Sequence, residues 1–160
     1  MNLNNFGEAW EYRPLIQIAL LVIGIAYAFL RGAQPERAVA WTFLGMAIAN
    51  VLLIVLFAHP RPLFLYFLLD AVAAIAFVGI GLFANRVYTL WIGSFQIIAL
   101  SAHLIRLLAG TEDLTLPFAI LYILPSYFQI GLFLWGTHCH ARRVNRFGPY
   151  RSWRNFSDLY

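Results

Sequence analysis

The sequence predicts an all-α integral membrane protein, a bundle of five transmembrane helices with the N-terminus outside and the C-terminus cytoplasmic. Three observations lead there. First, charged residues make up 11% of the 160-residue chain and hydrophobic residues 62%, whereas a soluble domain carries about 25% charge. So few charges cannot cover a water-soluble globule, and the length leaves no room for two sizeable domains. Second, the apolar residues gather into five segments, 14–31, 38–58, 63–84, 87–109 and 117–137, each near the length of about 20 residues that a membrane helix needs. Third, the arginines fall unevenly on the two sides that such spans define.

Residues 1–13 are too polar to span. Leu3, Phe6 and Trp10 recur at helical spacing, with Glu8 and Glu11 elsewhere on the wheel. That suits an outer interfacial segment, either a short helix in the headgroup layer or an irregular end with aromatic anchors. Gly7 weighs against the helix. With Glu8 and Glu11 and no basic run, this start does not fit a cleaved signal peptide. The transmembrane domain is expected over 14–140. Its breaks carry turn chemistry: Arg-Gly-Ala-Gln-Pro at 31–35, His-Pro-Arg-Pro at 59–62, Asn85-Arg86, and Gly-Thr-Glu-Asp at 110–113. The break at Asn85-Arg86 is the shortest, and a re-entrant 63–109 is the alternative there. A basic, aromatic tail is expected over 141–160.

With five spans, Arg31, Arg37, Arg86, Arg142, Arg143, Arg146, Arg151 and Arg154 share one side, eight of the 11 arginines. Arg13, Arg61 and Arg106 lie on the other. Cytoplasmic loops collect Arg and Lys, so the side with eight is the cytoplasm. In the tail, Arg142, Arg143, Arg146, Arg151 and Arg154 mix with Trp153 and other aromatics. At a membrane surface that mixture points to anionic lipid headgroups or a partner protein rather than nucleic acid. After Gly148 the tail is expected to be ordered by a neighbour or by the membrane, not by this chain's own core, because a short polar segment buries too little area alone.

Ionisable groups inside a membrane are costly, which makes them site candidates. Asp70 lies about 10 Å below the outer boundary, His103 about 9 Å, Arg106 about 5 Å and Asn50 about 12 Å. Residues far apart in sequence thus share one outer layer. Gln96, His103 and Arg106 fall at i, i+7 and i+10, on one helix face. An intramembrane polar cluster of Asp70, His103, Arg106 and Asn50 follows, with Asp70 paired to His103 or Arg106. It fits an ion pair that holds adjacent helices as well as it fits a functional site. Gln17, Ser126, Tyr127 and Gln129 are further polar residues of the spans.

No catalytic constellation and no metal-ligand spacing emerges, and an enzyme is not the favoured reading. His138 and His140 flank Cys139, but positions i and i+2 of a helix point about 200° apart and cannot share an ion. Cys139 alone excludes an intrachain disulfide framework. A lone helix histidine admits haem or a chlorophyll-type pigment at His103, without a second histidine at matching depth to support it. Gly24-x-x-x-Ala28 and Gly45-x-x-x-Ala49 allow close helix approach.

The run Tyr88-Thr-Leu-Trp91, Gln96, His103 and Arg106, then Ser126-Tyr127 and Gly136-Thr137-x-x-His140-x-Arg142-Arg143, resembles a group of small, uncharacterised bacterial multi-span inner-membrane proteins. The likeness covers about the last half of the chain and implies a bacterial inner-membrane location, with no chemistry attached. The expected function is a non-enzymatic accessory or scaffold subunit of a larger membrane complex, in contact with other membrane subunits. A small proton-linked transporter or channel using Asp70 and His103, and a pigment- or haem-associated electron-transfer subunit, are the alternatives.

Overall fold

The computed structural model describes residues 3–57, 63–109 and 116–154. Five helices follow in order: α1 Leu3–Arg31, α2 Gln34–Leu56, α3 Leu63–Phe83, α4 Val87–Ala109 and α5 Leu116–Phe147. Four of them hold stretches long and apolar enough to cross a membrane: Tyr12–Arg31, Gln34–Leu56, Leu63–Phe83 and Val87–Arg106. Each helix packs on the next, and α5 returns to pack on α1 as well as α4. The result is a closed ring.

The turns explain the up-and-down course. Between α1 and α2 only Gly32 and Ala33 intervene, and Pro35 starts α2 where a missing N–H costs nothing. Three residues, 84–86, separate α3 from α4, and each of the two holds a stretch of spanning length. The backbone does not break at residue 13: Leu3 to Arg31 is one helix with Pro14 inside it. The interfacial character expected of residues 1–13 rests on side chains outside the described residues.

Phe77 and Phe133 fill the ring's interior around Phe43, their ring centroids 4.8 and 5.5 Å from that of Phe43. Alanines supply the close approaches: Ala28, Ala40 and Ala73 are buried in the same cluster. Of the two small-residue motifs, the first packs inward, with Gly24 against the Phe133 ring. The second does not, since Gly45 faces open space. The tightest contact is one the sequence did not mark. Gly136 of α5 lies against the ring of Tyr88 on α4, where a Cβ would come within 2.4 Å of the ring carbon Cγ.

The end of α5 reaches into the expected tail. The helix does not stop near 137–140 but continues to Phe147, taking Arg142, Arg143 and Arg146 into its last turns. At 32 residues and about 1.5 Å per residue, α5 outreaches a hydrocarbon core of about 30 Å. Gly148 ends it with φ 80°. Its N–H donates to the Val144 carbonyl at 2.9 Å, the left-handed cap that glycine adopts without strain.

The chain then turns back on itself. Asn85 N–H donates to Ser152 O at 3.1 Å, and Arg154 N–H donates to Phe83 O at 2.8 Å. Trp153 Nε1 donates to Gln34 Oε1 at 2.6 Å. Residues 148–154 therefore pack on this chain's own α2 start and α3–α4 turn, contrary to the expectation of a tail ordered only from outside. The reason is that the turn offers unpaired backbone groups, Asn85 N–H and Phe83 O, which a passing strand can satisfy. Residues 155–160 lie outside the described residues.

Tyr88 cannot move aside for a Cβ at Gly136, because its hydroxyl is bonded to Glu36. Gly136→Ala is expected to destabilise the α4–α5 contact by about 1–3 kcal/mol. Thermal unfolding in detergent would read this as a lowered midpoint, with Gly45→Ala, where a Cβ meets open space, leaving the midpoint unchanged or raised.

Candidate functional site

Two polar groups are buried in the ring, one towards each end. The first is centred on Asp70 of α3. His103 Nε2 of α4 stands 2.8 Å from Asp70 Oδ2. Gln96 Nε2 donates to Asp70 Oδ1 at 3.0 Å, and Gln129 Nε2 of α5 donates to Gln96 Oε1 at 2.8 Å. The same Gln129 amide reaches the Ile92 carbonyl at 3.1 Å. The direction of this chain is dictated by its end. A carboxylate only accepts, so Gln96 turns its NH2 to Asp70 and its carbonyl to Gln129. Three helices are tied by one line of bonds.

The expected cluster is thus assembled in part. Asp70 meets His103. Arg106 is half-buried one turn further along α4 and is engaged in an interaction. Asn50 is exposed on α2 and is not joined to the Asp70 group among the described residues. Gln96 and Gln129 belong instead. At the same end, Gln17 Nε2 donates to Ser126 Oγ at 3.0 Å, and Tyr127 OH donates to the Arg13 carbonyl at 3.1 Å, fastening α1 to α5. Because His103 Nε2 faces the carboxylate, a haem or pigment metal at that nitrogen would have to displace Asp70.

The second group sits at the arginine-rich end and was not foreseen as a site. Glu36 of α2 is fully buried, 0% exposed. Its Oε1 accepts from Arg86 Nε at 3.1 Å and from Tyr88 OH at 3.1 Å. Its Oε2 accepts from the Ala33 N–H at 3.0 Å, the reach-back of a third-position glutamate to its helix start. Arg86 continues outward. Nη1 donates to the Asn85 carbonyl at 3.0 Å, and Nη2 donates to His140 Nδ1 at 3.1 Å. His140 Nδ1 also takes Tyr150 OH at 3.0 Å. The guanidiniums of Arg86 and Arg143 each lie 4.4 Å from the centroid of the Tyr150 ring, within cation–π range.

These contacts fix the state of His140. A guanidinium can only donate, so Nδ1 must be the bare acceptor, and any ring proton sits on Nε2. Burial lowers the His140 pKa below its ordinary value, and the Arg86 and Arg143 charges push the same way against the opposing pull of Glu36. His138, two residues earlier, turns to Tyr27 OH at 3.3 Å. The two histidines that flank Cys139 therefore serve different helices.

Of the tail arginines, Arg143 is occupied with Tyr150. Arg142 and Arg146 are exposed on the last turns of α5. Arg151 and Arg154 are exposed beside the half-buried Trp153. They line a cleft described below. One signal could have exposed the second group: Glu36 and Arg86 both belong to turns on the same side of a five-span chain, and opposite charges at one end of a bundle pair readily. The chain matches no protein-family model, no curated protein and no solved structure.

Removing one partner of the buried pair strands the other charge. Glu36→Ala is expected to cost about 3–5 kcal/mol. The double variant Glu36→Leu/Arg86→Met should recover part of that loss in equilibrium unfolding, since it buries no lone charge.

The His140 contact has a pH signature. An imidazole whose pKa falls on folding resists protonation in the folded chain. Its contribution is complete above the ordinary value of 6.5 and is lost as pH drops below it. Hydrogen exchange, corrected for intrinsic rate, should show the amides of Asn85 and Arg154 protected at pH 7.5 and opened at pH 5.5. In His140→Gln their protection should no longer change between the two.

Proposed function

We propose that this chain is a non-enzymatic accessory or scaffold subunit of a larger bacterial membrane complex. It crosses the inner (cytoplasmic) membrane five times, with the N-terminus outside and the arginine-rich end in the cytoplasm. The eight arginines gathered at that end support the orientation. The ring, in which α5 packs between α4 and α1 and runs alongside α1 from the Gln17–Ser126 contact to the Tyr27–His138 contact, supports the fifth span.

The observation that carries the functional reading is where the buried polar groups are spent. Asp70, His103, Gln96 and Gln129 bind one another across three helices, and Glu36, Arg86, Tyr88 and His140 bind one another across three more faces. This is the use of polar side chains as glue between membrane helices. The outer faces carry large apolar side chains, among them Trp41, Trp91 and Trp135, available to lipid and to neighbouring subunits. Purification from native membranes in mild detergent tests the proposal. The expected result is a partner integral membrane protein at fixed stoichiometry. A lone species at every detergent strength would overturn it.

One observation favours a second reading, a small proton-linked transporter or channel. A carboxylate and an imidazole 2.8 Å apart can exchange a proton, and intramembrane ionisable pairs mark proton relays. Vesicles loaded with a pH-sensitive dye separate the two. Proton uptake by the reconstituted chain that disappears in Asp70→Asn, with the fold retained, would favour transport. An inert wild type leaves Asp70 as glue.

A further inference from the structure

The turn-back of residues 148–154 builds something besides a fastening. Where it crosses the start of α2 it leaves an open cleft of about 530 Å³, lined by Ala33, Gln34, Arg37, Arg151, Ser152, Trp153 and Arg154. Three of these seven are arginines, and all three are exposed. Among the described residues, none that lines it is acidic. The nearest buried acid, Glu36, faces the other way, with both of its oxygens committed to Arg86, Tyr88 and the Ala33 N–H.

Like charges do not gather without cost, and here they are held together. Arg151 and Arg154 are carried on backbone that is bonded to Asn85 and Phe83 on either side. Arg37 is one turn into α2, a rigid element. The Trp153 indole binds Gln34 Oε1, which turns the NH2 of that amide away as a further donor. Donors and positive charge therefore converge on a preformed concavity, with an indole as its wall.

The position narrows the ligand. Gln34 opens one apolar span and Phe83 closes another, so the cleft lies level with the ends of the spans. That level is the headgroup layer on the arginine-rich side. A soluble anion would be met anywhere on a basic surface; an indole and guanidiniums at span ends suit a phosphate that is tethered to lipid tails. We propose that this cleft is a binding site for the phosphoryl headgroup of an anionic phospholipid, with Arg37, Arg151 and Arg154 as the phosphate ligands. Arginine suits the task because its planar fork matches phosphate oxygens two at a time. The inference rests on the membrane placement proposed above.

Native mass spectrometry of the delipidated chain in detergent tests it, with cardiolipin, phosphatidylglycerol or phosphatidylcholine added in turn. Cardiolipin and phosphatidylglycerol should be retained at least tenfold more strongly than phosphatidylcholine. Arg151→Gln/Arg154→Gln and Arg37→Gln should each remove most of that preference. Arg31→Gln, an exposed arginine at the other edge of the same turn that does not line the cleft, should leave it intact. Protection of the Arg154 amide shows that the segment stays docked in each variant. Equal loss from Arg31→Gln and Arg37→Gln would reduce the effect to general charge and overturn the site. So would equal retention of the three lipids, or retention abolished by 10-fold less inorganic phosphate than lipid, which would mark a soluble phosphate site. The measurement needs no partner subunit. A lone chain that selects anionic lipid upholds the site while the subunit proposal fails, and a stoichiometric complex without lipid selectivity does the reverse.

Discussion

The buried pair of Glu36 and Arg86 organises one whole end of this molecule. Neither charge could be left alone there, because an uncompensated ion in a low-dielectric site costs several kcal/mol. Each is therefore surrounded by obligatory partners. Glu36 draws in Tyr88 and the Ala33 amide. Arg86 draws in His140 and, through its flat face, Tyr150. Tyr150 brings the chain after Gly148 back towards the bundle, where Ser152, Trp153 and Arg154 complete the backbone pairing of the α3–α4 turn. The α2 start, the α3–α4 turn, the α5 extension and the tail are positioned by one charge pair.

The Asp70 group solves the same problem differently. Its charge is met by an imidazole and a carboxamide. That choice leaves a group which can gain and lose a proton, in contrast to the guanidinium at the other end, which cannot. The two ends thus differ in chemistry although both serve to join helices. Between them the packing is carried by phenylalanines and by glycine and alanine. Lipid tails are as apolar as leucine, so helices in a membrane associate through close fit and interhelical bonds rather than through hydrophobic exclusion. The contact of Gly136 with Tyr88, and of Gly24 with Phe133, shows that fit at its closest.

The arginines at this end also acquire distinct duties. Arg86 is buried and structural. Arg143 lies over Tyr150. Arg37, Arg151 and Arg154 line a concave surface at the height of the span ends. A count of basic residues treats them alike, because orientation in a membrane depends on the sum of charge on a side. Binding depends on where each guanidinium is held.

What the sequence by itself determined is the all-α class, the helices and the meeting of Asp70 with His103. Apolar segments of spanning length can form only helices when backbone groups have no water to bind. Alternating directions led to the expectation of Asp70 and His103 at one depth, and opposite charge tendencies made their meeting, which the structure shows, the economical arrangement. Depth is a one-dimensional quantity and is legible in a sequence. Which way a side chain faces around its helix is not, and that is why Asn50 was grouped with Asp70 while Gln129 was not. Only the tertiary structure decided that Glu36 meets Arg86 across 50 residues, that α5 runs on to Phe147, and that the tail folds home. Each depends on the ring closing α5 against α4 and α1. That closure brings His140 and Tyr150 to a turn whose unpaired backbone and buried charge were waiting for partners no local pattern could supply.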